Sequence, residues 1–287
     1  MTGRLVLVGT PIGNLGDLTP RAVETLRDAD VIAAEDTRRT RALLSHAGVP
    51  AGHRLVAVHE HNERARAAEL VDAIQAGATV AVVTDAGMPG ISDPGARLVR
   101  TCLEAGVTVG VVPGPSAALT ALVVSGLPTD RFAFEGFLPG KATARRRRLA
   151  ELAEEPRSTV LFESPHRLAD TLAELLDAVG PNRPLVLARE LTKLHEEVVR
   201  GSVASALDHV REHPPRGEYV LVLGGAAPVE PSDEDVAAAA GAAVAAGRSA
   251  KDAAVQVAAE LGVPRRRAYD AVVAARGNPG RAREPGR

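Results

Sequence analysis

The feature that most constrains this chain is an alternation. Short runs rich in β-branched residues are separated by stretches of helical periodicity, and several of the runs empty into loops crowded with Gly and Pro. Such a rhythm predicts a largely parallel sheet covered by helices. Strands are expected over Arg4–Val8, Val31–Glu35, Arg54–Val58, Thr79–Val83 and Val107–Val112. Thr19 before Pro20, and Asp93 before Pro94, place proline at a first helical position. After a junction at Gly126-Leu127-Pro128-Thr129 a second series begins, with strands expected over Phe132–Phe137, Ser158–Glu163, Leu185–Arg189 and Tyr219–Leu223. Its helices are expected near Ala144–Glu154, His166–Val179 and Ser202–Glu212. Gly224-Gly225-Ala226-Ala227-Pro228 breaks the pattern and reads as a linker. The expected architecture is α/β: domains at 1–126 and 127–226, a small helical unit at 227–278, and a disordered tail at 279–287.

Composition excludes several classes. At 287 residues and 45% hydrophobic the chain can bury two moderate cores. No apolar run approaches the roughly 20 residues that span a bilayer, and the first residues lack the pattern of a cleavable signal, so a cytoplasmic location is expected. The single cysteine, Cys102, excludes an intramolecular disulfide and reads as core packing. A net charge of −2 gives no global attraction for nucleic acid, so any RNA contact must come from local patches. Four Phe, two Tyr and no Trp argue against a surface that stacks bases on rings in the manner of an RRM or OB fold.

Ligands of open α/β sheets lie at the carboxyl ends of the strands, so the loops leaving them are the places to search. After the first strand comes Gly9-Thr10-Pro11-Ile12-Gly13-Asn14-Leu15-Gly16-Asp17, which is neither a dinucleotide fingerprint nor a P-loop. It is either a tight connection or a place where backbone approaches a ligand. After the fourth stands Thr84 to Gly95, too rich in Gly and Pro for a mere connector. There Asp85 is placed to accept hydrogen bonds from a ribose or an amino group. After the fifth, Pro113-Gly114-Pro115-Ser116-Ala117-Ala118 opens a small-residue helix whose free N–H groups can meet polar ligand atoms. Ser116 can equally be a helix cap.

These loops resemble the tetrapyrrole methylase-like class of S-adenosylmethionine methyltransferases. The likeness narrows, through Ala34-Glu35-Asp36-Thr37-Arg38, His59-Glu60-His61-Asn62-Glu63, Phe134-Glu135-Gly136-Phe137-Leu138-Pro139, Phe162-Glu163-Ser164-Pro165-His166-Arg167 and Ala188-Arg189-Glu190-Leu191-Thr192-Lys193, to members that modify small-subunit ribosomal RNA. The resemblance implies two αβ domains with the methyl donor S-adenosyl-L-methionine in the cleft between them. It further implies 2′-O-methylation of a cytidine ribose in the decoding region of 16S rRNA, with the small ribosomal subunit as partner, in a homodimer and without a metal. By position it implies Pro11, Asp85, Gly87, Ser116 and Ala117 at the donor site, to which Phe162 and Glu163 are added from the second domain.

A ribose hydroxyl is a poor nucleophile while protonated, so a base, or a cation for the developing alkoxide, is the natural complement to positioning. Glu190 and Lys193 rank first, because they leave a strand facing the cleft and combine the two. The other reading is an ion-paired loop that shapes the RNA surface. Arg38, His59 and His61 are candidates for polar substrate contacts. The His-x-His pair lacks a convincing third ligand for a metal. Arg145, Arg146, Arg147 and Arg148 form a cationic run suited to phosphate contact, or a solvated helix face. Residues 249–273 read as helix, turn, helix, with Ala254, Val257, Ala258, Leu261, Val263, Ala268 and Val272 as a small core. Arg265, Arg266 and Arg267 would let that unit grip rRNA, although a dimer-supporting appendage fits as well. Beside the RNA reading stand a tetrapyrrole or protein-side-chain methyltransferase of the same fold, and a non-catalytic ribosome-assembly protein.

Overall fold

The structure, a computed structural model, describes residues 3–59, 61–227 and 230–277; the tail expected to be disordered lies outside them. In the first lobe, strands β1 (Arg4–Val8), β2 (Val31–Ala34), β3 (Leu55–Ala57), β4 (Thr79–Val83) and β5 (Thr108–Val112) alternate with helices α1 (Pro20–Asp28), α2 (Thr37–His46), α3 (Glu63–Gln75) and α4 (Ala96–Glu104). The strands lie in the order β3-β2-β4-β1-β5, and every neighbouring pair is parallel. Successive residues of β4 serve opposite faces, so Ala81 and Val83 join Leu26, Leu44 and Val6 in one layer while Val80 and Val82 join Leu5, Leu70, Ile74 and Leu98 in the other. That two-sided burial is why the run reads as continuously apolar rather than alternating. Cys102 is fully buried in the second of these layers, where burial pushes its thiol pKa up.

Helix α1 starts as expected, with Pro20 at its first position and Thr19 Oγ1 accepting from the Ala22 N–H at 3.1 Å. The expected start at Asp93-Pro94 is corrected. Helix α4 begins at Ala96 behind Gly95, whose φ of 130° favours glycine. Its cap comes from another helix: Glu63 Oε1 accepts from the N–H groups of Gly95, Arg97 and Leu98 at 3.0, 3.1 and 3.2 Å. A carboxylate at a helix N-terminus satisfies orphan donors and suits the dipole, which leaves Asp93 free for other work.

The second lobe is built from helix α5 (Ala117–Ser125), strand β6 (Phe132–Phe137), helix α6 (Ala142–Glu154), strand β7 (Ser158–Glu163), helix α7 (Leu168–Val179), strands β8 (Pro184–Arg189) and β9 (Glu197–Ser202), helix α8 (Val203–Glu212) and strand β10 (Tyr219–Leu223). Its sheet has the order β6-β7-β10-β8-β9, with β6 and β7 parallel and the other pairs antiparallel. Strand β9 was not expected from the sequence. Helix α5 follows the last strand of the first sheet yet buries Ala118, Ala121 and Leu122 against Val160, Val186, Ala188, Val220 and Val222 of the second. The two sheets therefore share one compact unit that ends at Ala226. The glycines read as linker are partly tied down, since Gly224 N–H donates to Pro184 O at 2.8 Å and Ala226 N–H to Glu155 O at 2.7 Å.

From Ala227 onward a second compact unit holds α9 (Asp233–Ala245), α10 (Ala250–Leu261) and α11 (Arg265–Gly277). Its core buries Ala254, Val257, Val263, Ala268 and Val272 together with Val236, Ala240 and Ala243, so the helix-turn-helix is completed by a third helix. Gly262, left-handed at φ 65°, makes the turn. No described helix is long and apolar enough to cross a membrane.

Candidate functional site

Three loops leaving the carboxyl ends of β1, β4 and β5 press together so closely that only glycine fits at their contacts. A Cβ on Gly9 would lie 2.6 Å from Gly114 N and 2.7 Å from Met88 Sδ, and one on Gly114 would lie 2.8 Å from the Gly9 backbone. Thr10 and Gly87 bridge two of the loops with reciprocal backbone hydrogen bonds of 2.9 and 3.2 Å, while Thr10 Oγ1 donates to Thr84 O at 3.1 Å. Gly87 has φ 83°, a left-handed conformation costly for any side chain. The first loop also reaches the second lobe, where a Cβ on Gly13 would fall 2.4 Å from Lys193 Cγ.

The second lobe presents three strand ends at this place. Tyr219, opening β10, pairs with Glu163 at the end of β7 and with Arg189 at the end of β8, because those strands run antiparallel. Between the lobes lies a cavity of about 380 Å³. Gly87, Ser116, Ala117, Phe162, Glu163, Glu190 and Lys193 all line it, along with Ile12, Asp93, Phe137, Glu218 and Tyr219. A neighbouring cavity of about 320 Å³ is lined by Pro11, Arg39, Thr84 and Asp85, and shares Ile12, Ala86, Lys193 and Glu218 with the first. The candidate donor and catalytic residues are thus distributed over two adjoining chambers, each within the size range of small-molecule sites.

Acidic groups dominate the electrostatics. Asp85 accepts from the Asp36 N–H at 3.2 Å and pairs with Arg39 at 3.4 Å, while its own N–H donates to Glu35 at 3.2 Å. Burial, with the negative charges of Glu35, Asp85 and Glu218 added, pushes the Asp93 carboxyl up to about 7. Lys193 Nζ stands 3.0 Å from Glu190 Oε1 and 3.5 Å from Glu218 Oε2. Burial opposes ionisation of Glu190, yet hydrogen bonds from Lys193 and from the Glu218 N–H hold its pKa below the ordinary carboxylate value. Burial likewise works against the Lys193 ammonium, and the two glutamates raise its pKa in spite of that. Glu190 and Thr192 carry left-handed φ values of 50° and 67°, so the turn that carries the pair is strained. Walls in which carboxylates outnumber the two cations, Arg39 and Lys193, suit a positively charged donor such as a sulfonium with an ammonium group. The capped N-terminus of α5 meanwhile offers N–H groups to polar atoms: Ser116 accepts from Leu119 N–H and is both cap and cavity wall.

Residues 4–207 match the tetrapyrrole (corrin/porphyrin) methylases. The chain belongs to that family. Within it, the chain is 49% identical over 285 residues to ribosomal RNA small subunit methyltransferase I of Mycobacterium tuberculosis, covering 99% of both chains. It is 47% identical over 270 residues to the protein of that name from Synechocystis, covering 93% of this chain and 96% of the relative. Among solved structures it resembles uroporphyrin-III C-methyltransferase from Thermus thermophilus complexed with S-adenosylhomocysteine. That likeness has a TM-score of 0.54 and 25% identity, over 77% of this chain and 97% of the other. Membership of the family accounts for the two-sheet architecture.

The remaining candidates, Arg38, His59 and His61 among them, line neither of these two cavities. Arg38 pairs with Asp36 at 2.8 Å, which holds the Asp36 carboxyl well below the usual range, and the two exposed histidine rings lie 6.1 Å apart. Among the described residues no group of three or more His, Cys, Asp or Glu side chains is gathered to hold a metal. In the arginine run, Arg145 is corrected as a phosphate contact: its guanidinium is buried, pairs with Glu174 and donates to Thr171 Oγ1 at 2.7 Å. Arg148 is engaged by Glu135 and Glu151. Arg146 and Arg147 face solvent, Arg147 being 80% exposed beside Glu151. In the C-terminal unit Arg265 and Arg266 are exposed, whereas Arg267 pairs with Asp233 at 2.7 Å and donates to Pro231 O at 2.8 Å.

The sequence reading missed Asp93, Glu218, Ile12 and Phe137 at the site. Asp93 lies inside the Gly- and Pro-rich loop after β4, where its place before Pro94 gives the local pattern of a helix cap and masks its role in the cavity. Glu218 precedes an antiparallel strand, so a search confined to carboxyl ends of strands passes it by.

Proposed function

We propose that the chain 2′-O-methylates the ribose of a cytidine in the decoding region of 16S rRNA, acting on the small ribosomal subunit as a cytoplasmic homodimer. It is an S-adenosylmethionine-dependent methyltransferase, and the cofactor supplies an electrophilic methyl group on its sulfonium. The observation that carries the reading is the convergence of the β1, β4 and β5 loops with Glu190 and Lys193 on two adjoining chambers. The donor spans the two adjoining chambers and the nucleophile enters beside it, so positioning in line with the breaking bond supplies much of the rate. Pro11, Asp85, Gly87, Ser116, Ala117, Phe162 and Glu163 form the donor walls. Lys193 stabilises negative charge developing on the ribose oxygen, and Glu190 holds its ammonium in place. Asp93, poised near neutrality, suits acceptance of the hydroxyl proton.

RNA approach is supported by Arg146 and Arg147 on α6 and by Arg265 and Arg266 on α11, all open to solvent. Homodimerisation is supported by α5, whose outward face exposes Leu119 and Val123, four residues apart, and by the edge strand β5 with its exposed Val111. The test is to isolate small subunits from a strain lacking the protein, add purified protein and S-adenosylmethionine, and map methylated nucleotides by mass spectrometry. A new 2′-O-methylcytidine in the decoding region is expected. No transfer to any nucleotide, with donor bound, would overturn the reading.

A further inference from the structure

All four phenylalanines of a chain poor in aromatic residues fall on one face of one sheet, and a single irregularity brings the last of β6, Phe137, to that face. Strand β6 runs parallel to β7 with Phe134 opposite Val160 and Phe137 opposite Phe162, so three steps on β6 match two on β7. The surplus residue is a bulge at Glu135-Gly136, and Gly136 has φ 66°. In a regular strand Phe134 and Phe137, an odd number of residues apart, would point to opposite faces. The bulge turns Phe137 to the side of Phe134, which is how bulges re-aim a side chain. Both rings then meet Phe162 edge-on, at centroid distances of 5.1 and 5.7 Å. A Cβ on Gly136 would lie 3.0 Å from Ser92 Oγ, so the bulge also abuts the loop after β4.

The cluster is not a sealed core. Phe137 is 52% exposed and Ile91 49% exposed, and both line the larger chamber together with Phe162. A folded protein gains nothing from leaving a propped ring half in water, whereas a nucleobase offers the flat apolar face that would cover it.

We propose that Phe137, backed by Phe134 and Phe162, is the platform on which the base of the methylated nucleotide stacks while its ribose reaches the methyl donor. The inference rests on the RNA methyltransferase reading above and deepens it. A ribose hydroxyl can enter the chamber only if the nucleotide leaves its helical stack, and a ring at the chamber wall replaces part of the stacking that is lost. The platform is indifferent to base identity, because every base has a π-face; it fixes where the base sits rather than which base it is.

The experiment compares Phe137→Ala, Phe137→Leu and Phe137→Tyr with the wild type, measuring kcat and KM on small subunits and S-adenosylmethionine affinity by calorimetry without RNA. Stacking on one ring is worth roughly a tenfold change in affinity or more. Phe137→Ala and Phe137→Leu are therefore expected to raise KM for the subunit by about tenfold, and Phe137→Tyr to restore it, with donor affinity unchanged in all three. An unchanged KM in Phe137→Leu overturns the platform. So does a loss of donor affinity as large as the loss for RNA, which would mean that the ring holds the adenine of the donor. Failure of the wild type to methylate the subunit would instead reject the underlying function.

Discussion

Replacing Asp93 by Asn removes a charge that the folded protein resists. The carboxyl moves from an ordinary 3.8 to about 7 on folding, through burial and the neighbouring charges of Glu35, Asp85 and Glu218. At about 1.4 kcal/mol per pH unit the full cost of ionising it in the native state is about 4 kcal/mol, and water reaching a half-buried group reduces this to about 2 kcal/mol. Because the folded pKa lies above the unfolded one, the native state holds the proton more tightly. Below pH 3.8 Asp93 is neutral in both states and costs nothing. As pH rises towards 7 the unfolded chain ionises first and the native state loses stability, and above 7 the penalty is complete. Urea unfolding of both proteins without donor, from pH 5 to pH 8, should show the Asp93→Asn variant gaining on the wild type by about 1 kcal/mol across that range. Parallel stability profiles would refute the assignment of a raised pKa, and so would a variant that loses ground as pH rises.

Four further outcomes follow from the same geometry. Lys193→Ala is expected to lower kcat by about 10²-fold or more, and Glu190→Gln by less, with donor and RNA binding kept; near-normal turnover in both would assign the pair to loop structure alone. Arg145→Ala should lower the unfolding free energy by about 2 kcal/mol, because Glu174 and Thr171 lose a buried partner. Arg146→Ala with Arg147→Ala should instead leave stability within about 0.5 kcal/mol and flatten the salt dependence of subunit binding. Binding of cationic S-adenosylmethionine near pH 7 should favour ionised Asp93 and release part of a proton. Calorimetry in two buffers of different ionisation enthalpy reads this, and Asp93→Asn should abolish the buffer dependence.

The first sheet was legible because each of its strands is short, apolar and followed by its own loop, so local pattern and tertiary role coincide. Strand β9 was not, since it lies at the edge of its sheet with its residues half-buried or exposed, and shows no period-2 contrast. The antiparallel pairing of β10 with β7 and β8 was equally hidden, because the helices between strands suggest crossovers to parallel neighbours. Local reading failed wherever a distant residue does a local job. Glu63 caps α4 from another helix, and Asp93 owes its character to residues scattered from 35 to 218. The inward turn of Arg145 did leave a signal: it shares a helix face with Leu149 and Leu152, at intervals of four and seven, and all three are buried.

That contrast explains why the loops that wall the chambers were legible while the side-chain partners inside them were not. Chambers for a ligand are made by backbone that must approach backbone, and such approach demands glycine, which is visible in a sequence. Gly9 against Gly114 and Gly13 against Lys193 are contacts that a single methyl group would break. Proton transfer and charge stabilisation depend on side chains whose partners arrive from elsewhere in the fold, as Glu218 does for Lys193. The two requirements meet at Lys193, which stands in both chambers and also packs against Gly13. A side chain larger than hydrogen at position 13 would push the cation off its place between Glu190 and Glu218. The glycine of a loop in the first lobe therefore sets the position of a charge supplied by the second, and the site exists only where both lobes are folded against each other.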